Sequence, residues 1–107
     1  MIFRIWHGTT LGVNAEHYEA LLLNSVFPGI AAMRVEGYKG IQLLKTEKTG
    51  EVEFMTIMAF ENWEAVKQFA GEDYEKSYVI EGAKLLLKSY DITAQHYELV
   101  HNSMVFI

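Results

Sequence analysis

Residues 40–46 read GIQLLKT and residues 52–60 read VEFMTIMAF, with the polar turn Glu47-Lys48-Thr49-Gly50 between them. Two apolar, β-branched and aromatic runs around a short turn containing glycine are the signature of a β-hairpin. On the second arm, alternation puts Val52, Phe54, Thr56, Met58 and Phe60 on one face and Met55, Ile57 and Ala59 on the other. Both faces are apolar. An antiparallel sheet covered by helices on one side should carry polar residues on its open side. The second apolar face therefore calls for a cover, and an identical sheet from another copy is the simplest one. The C-terminal tail or the segment 28–36 is the alternative cover within the chain.

Working outward, residues 2–10, IFRIWHGTT, read as a strand whose end is loosened by Gly12. Asn14 is placed to cap a helix from Ala15 to about Ser25, with Tyr18, Leu21, Leu22 and Val26 at helical spacing. Pro28-Gly29 is expected to end that helix, and Ile30 to Val35 to add a further turn. Beyond the hairpin, Asn62 caps a second helix with Trp63, Val66, Phe69 and Ala70 on one face and Gly71 just past its end. Glu72 to Gly82 reads as another helical turn or two, and Asp91 to Val100 as the last strand. The tail HNSMVFI is either a loose end or an apolar arm that docks. Gly37 and Gly40 allow a bend or bulge at the start of the hairpin.

The order strand–helix–strand–strand–helix–strand is the split βαβ arrangement. It predicts an α+β, ferredoxin-like βαββαβ fold with an antiparallel four-stranded sheet, as a single domain over residues 1–107.

Composition narrows the function. A net charge of −5, from 9 Lys and Arg against 14 Asp and Glu, is unsuited to nucleic acid. The absence of cysteine excludes disulfides, thiolate metal sites and cysteine nucleophiles. No apolar run is long enough to cross a bilayer, so no membrane partner is expected. The first residues lack the features of a signal peptide, and a cytoplasmic location is the expectation.

Four stretches resemble the antibiotic biosynthesis monooxygenase-like family: RIWHG at Arg4–Gly8, EGYKGIQLL at Glu36–Leu44, FAGEDYEK at Phe69–Lys76 and HYELV at His96–Val100. The likeness is strongest to an uncharacterised subgroup. It implies ferredoxin-like subunits assembled as a homodimer in a dimeric α/β barrel. The activities it implies range from cofactor-free quinone-forming monooxygenases to haem-degrading enzymes and members without known activity. Family members that oxidise substrates or degrade haem tend to carry tryptophan at the end of the third strand and histidine in or after the next helix. Here the strand ends in Phe60, Trp63 comes one helical turn later, and no histidine occurs from Trp63 to Tyr90. Haem degradation is therefore not expected.

In such a sheet the first and last strands are antiparallel neighbours, which brings Arg4, Trp6 and His7 beside His96, Tyr97 and Glu98. Arg4 and Trp6 share one face and His7 takes the other; His96 and Glu98 share a face without Tyr97. The catalytic candidates are His96, as a base of near-neutral pKa, and Arg4, as the partner of a developing oxyanion. Trp6, Tyr38 and Trp63 supply flat walls for a small aromatic ligand, and Glu98 completes the binding set. A deprotonated phenol is electron-rich enough to react with O2 directly, so no cofactor is called for. The plainer alternative is that His96 and Glu98 form a structural pair and Arg4 an ion pair across strands. A metal set of His7, His96 and Glu98 requires one shared face, and no closely spaced ligand pair exists, so no metal is expected. His17 and His101 read as surface residues, and GEDYEK as the start of a helix. Met55 and Met58 read as filler on opposite faces of their strand. The function that follows is small-molecule binding with cofactor-independent monooxygenase chemistry on a phenolic substrate. The alternative is a non-catalytic binding or stress-related dimer.

Overall fold

A computed structural model describes residues 1–106. Strand β1 (Ile2–Leu11) lies at the centre, flanked by β3 (Glu51–Phe60) on one side and by β4 (Leu87–Tyr90) and β5 (Gln95–Glu98) on the other, with β2 (Tyr38–Lys48) outside β3. All these pairings are antiparallel. The fold is the expected α+β, ferredoxin-like one, but the last strand is broken in two, giving five strands in place of four. Between Gly8↔Tyr90 and Ile5↔Gln95, β1 advances three residues while its partner advances five. The extra chain bulges out, and Ile92 and Ala94 bond instead with Ser77 and Glu75.

The alternation read from sequence holds along both central strands. Ile2, Arg4, Trp6, Gly8 and Thr10 of β1 and Val52, Phe54, Thr56, Met58 and Phe60 of β3 are buried under the helices. Phe3, Ile5, Met55, Ile57 and Ala59 are half-buried on the opposite face. The core forms as two clusters. One joins Ile2, Met58 and Phe60 to Ile30, Val66 and Phe69; the other joins Val52 and Phe54 to Tyr18, Leu22 and Ala83. Arg4, Trp6 and Thr56 fall between them, so a polar gap interrupts the core where the two central strands meet mid-length.

The helices are α1 (Ala15–Leu21), α2 (Phe27–Ala32), α3 (Trp63–Ala70) and α4 (Glu81–Lys84). Pro28-Gly29 does not end the first helix. A π turn at Leu22–Val26 links α1 to α2, with the Phe27 N–H bonding the Leu22 carbonyl five residues back. This wide turn makes room for a proline ring that would clash with an ordinary α-helical turn. Asn14 makes no capping bond; a 3-10 turn at Gly12–Asn14 leads into α1 instead. Asn62 does cap α3, its Oδ1 accepting from the Ala65 N–H at 2.9 Å, and Gly71 ends that helix at φ 87°. A register shift between Tyr38 and Gly40 is the expected bulge, with Gly40 at φ 130°. Glu72 to Gly82 is not the helix expected: only α4 at its end is helical. Residues 99–106 have no regular secondary structure, and Asn102, Met104 and Phe106 border a groove against Phe3, Ile57 and Ala59 on the open sheet face. Segment 28–36 cannot cover that face, because Ile30 and Val35 are buried on the helix side. No helix among the described residues is long and apolar enough to cross a membrane.

Candidate functional site

The register of β1 on β5 sets Arg4 directly opposite His96. Arg4 takes an inward position between Ile2 and Trp6, which draws its guanidinium into the gap between the two clusters; the residue is 3% exposed. Its Nη1 donates to the Tyr74 carbonyl and meets His96 Nε2 at 3.2 Å, while Nη2 donates to the Lys76 carbonyl at 3.0 Å. The guanidinium carbon lies 5.5 Å from the Phe69 ring centre. Among the described residues no carboxylate pairs with it. Burial lowers the Arg4 pKa to about 10, which leaves the side chain charged at neutral pH.

Arg4 can only donate, so Nε2 of His96 is the acceptor and the neutral ring carries its proton on Nδ1. Desolvation, and then the charge of Arg4, lower the His96 pKa to about 4. This is not the near-neutral histidine that the sequence suggested. The ring is wedged between Tyr74, edge-on at 5.3 Å, and Trp63 at 5.7 Å.

The gap in the core is a cavity. Its walls include Arg4, Trp6, Thr56, Met58, Phe69 and Tyr78, with Leu22 and Val26 from the helix side. At about 60 Å³ it has room for roughly four waters. Trp6 is held there by its Nε1, which donates to the Asp91 carbonyl at 2.8 Å. The indole also lies over Gly8, where an added Cβ would meet the ring at 2.6 Å. Burial raises the pKa of Tyr18, another wall residue, so its hydroxyl stays protonated. A second, open cleft of about 240 Å³ is bordered by Trp63, Tyr74, Glu75 and His96. Arg4 therefore lines the inner cavity and His96 the outer cleft, with their mutual contact between the two.

The other candidates separate. Trp63 stacks on His96 beside the outer cleft and is not among the residues lining the cavity. Tyr38 packs on Phe60 at 5.6 Å, within the first core cluster. Glu98 is exposed opposite Ile2 and makes no bond to His96. His7 lies on the opposite sheet face, where its Nδ1 and its backbone N–H both reach Asp91 Oδ2 at 3.0 Å. His7, His96 and Glu98 are thus not assembled. Sequence reasoning missed the part played by residues 71–80, which give Arg4 two carbonyls and the cavity Tyr78 and Val79. The available signal was Gly71 followed by a polar run without apolar periodicity, which marks irregular chain rather than a helix start.

No family model matches the chain, and no curated protein matches it. Solved structures do. A heme-degrader, MhuD, from Mycobacterium tuberculosis, with two hemes bound in its active site, is similar with 17% identity, a TM-score of 0.61, and coverage of 97% of this chain and 100% of that one. SnoaB, a cofactor-independent oxygenase from Streptomyces nogalater, matches with 16% identity and a TM-score of 0.60 over 95% of each chain. The monooxygenase ActVA-Orf6 of Streptomyces coelicolor, in complex with nanaomycin D, matches with 11% identity and a TM-score of 0.54, covering 99% of this chain and 91% of that one. Likeness at this level of identity establishes the fold. The chain has the ferredoxin-like fold of these structures, and of one from Bacillus cereus described as an antibiotic biosynthesis monooxygenase (13% identity, TM-score 0.62, covering 99% of this chain and 97% of that one), in line with the resemblance carried by RIWHG, EGYKGIQLL, FAGEDYEK and HYELV.

Proposed function

We propose that this protein is a homodimeric small-molecule-binding protein that takes an aromatic compound with an ionisable oxygen into the cavity beside Arg4. The observation that carries this reading is Arg4 itself: a buried cation with only neutral partners, at the wall of a cavity framed by aromatic rings. Buried charge without a counter-ion is costly, and a ligand oxyanion offsets that cost. The cavity is smaller than the roughly 150 Å³ that admits benzene to an apolar core. Entry therefore displaces lining side chains, and Tyr78 and Val79 on the irregular segment 71–80 are the ones least fixed by secondary structure.

The similarity to a cofactor-independent oxygenase favours a chemical extension. With Arg4 holding an aryloxide or enolate whose proton has passed to solvent, the electron-rich ring reduces O2 directly. For an anthrone, the CH2 becomes C=O and the second oxygen atom leaves as water. The apolar open sheet face, with Phe3, Ile5, Met55, Ile57 and Ala59 half-buried, supports the homodimer.

The reading is tested by oxygen-electrode assays with an anthrone and by calorimetric binding of phenol. Saturable oxygen consumption that Arg4→Met abolishes supports the oxygenase. Phenol binding without turnover leaves a binding protein. Failure of both the anthrone and phenol to engage the folded protein overturns the reading.

A further inference from the structure

Among the described residues, Arg4 is the only charged side chain that is buried. Every contact it makes is with a neutral group: two backbone carbonyls, a neutral imidazole and an aromatic face. A site built to hold an uncharged phenol has no need of a full buried cation, since a hydroxyl or amide serves a neutral oxygen. Nor do the residues lining the cavity include a carboxylate or an imidazole to take a phenol's proton. The Nε2 lone pair of His96 is already occupied by Arg4 Nη1. A ligand that arrives already ionised avoids both difficulties.

Resting on the ligand-binding reading above, we propose that the cavity is a carboxylate site. It prefers small aromatic carboxylates to neutral phenols, uses Arg4 as the counter-charge, and takes up a proton at His96 when it fills. The coupling follows from the geometry. A carboxylate on the guanidinium competes for Nη1 and neutralises the charge 3.2 Å from His96 Nε2. The imidazole then loses its donor and the Arg4 charge that, after desolvation, opposed its protonation. The other charged or titratable groups around it are Tyr74 and Glu75, from the segment packed on the ring, and Glu98, two residues along its own strand. Trp63, from α3, carries no charge.

The sign is fixed by linkage. Free, His96 stays neutral down to about pH 4. Filling the site removes the Arg4 part of that depression while the desolvation stays, so benzoate binds more tightly as pH falls from 7 to 5, by about threefold, while remaining ionised itself. The test is isothermal titration of the folded protein with benzoate and with phenol at pH 5, 6 and 7, in buffers of different ionisation enthalpy to count protons. Benzoate should bind at least about tenfold more tightly than phenol at pH 6, with proton uptake growing as pH falls. His96→Asn should bind benzoate with no pH dependence across this range. Arg4→Met should lose benzoate, and Arg4→Lys, which preserves the charge, should retain benzoate at reduced affinity.

Phenol binding as tightly as benzoate overturns the carboxylate assignment and leaves the ligand-binding reading standing. Benzoate affinity independent of pH, or an equal pH slope in His96→Asn, overturns the coupling to His96. Failure of both compounds to bind overturns the assignment together with the reading beneath it.

Discussion

At the residue scale, Arg4 shows how a strand position can be specified against stability. Its neighbours on the inward face of β1, Ile2 and Trp6, are the side chains a core asks for. A similarly shaped apolar residue should therefore fold nearly as well. Arg4→Met is expected to change unfolding free energy by less than about 2 kcal/mol, because removing a buried charge offsets the two carbonyls left without a donor. Equilibrium urea denaturation beside the binding assay checks the expected split between intact stability and lost ligand affinity. His96 gives the opposite kind of signal. Its pKa falls from the ordinary 6.5 to about 4 on folding, so the unfolded chain binds its proton first as pH drops. The stabilisation is complete above pH 6.5 and is lost as pH falls towards 4, by on the order of 1 kcal/mol after allowance for solvent around a partly exposed ring. Denaturation midpoints at pH 7 and pH 4.5 should differ less in His96→Asn than in wild type. The inward placement of Arg4 was legible from the alternation Ile2, Arg4, Trp6. Its carbonyl partners were not, because backbone acceptors carry no side-chain signature.

At the element scale, the hairpin, the first strand and the Asn62-capped helix were readable because period and punctuation agreed. Asn62→Ala should cost about 1 kcal/mol by freeing the Ala65 N–H, measurable by thermal unfolding. Gly8 has a role that no pattern announces. A methyl group there collides with the Trp6 indole, so Gly8→Ala should cost about 1–3 kcal/mol, displace the ring from the cavity wall and shift its fluorescence. Two of the element readings that failed did so for reasons of tertiary structure. A π turn absorbs Pro28 where local rules end a helix. The last strand breaks because Asp91 bonds the His7 backbone N–H and side chain, and residues 92–94 then turn to segment 75–77. Both depend on tertiary partners distant in sequence.

At the scale of the whole molecule, the doubly apolar β3 was the most informative feature of the sequence. Its inner face closes the core, and its outer face stays half-open, bordered by the C-terminal tail. Ile57→Lys places a charge at the centre of that outer face and should yield monomers by sedimentation velocity, with the helix-side core intact by circular dichroism. Native mass spectrometry of wild type and Arg4→Met, each with benzoate added under gentle activation, reads assembly and ligand together. Both proteins should be dimers, with up to two benzoates retained by the wild-type dimer and none by Arg4→Met. A monomer, or benzoate held equally by the variant, would contradict this.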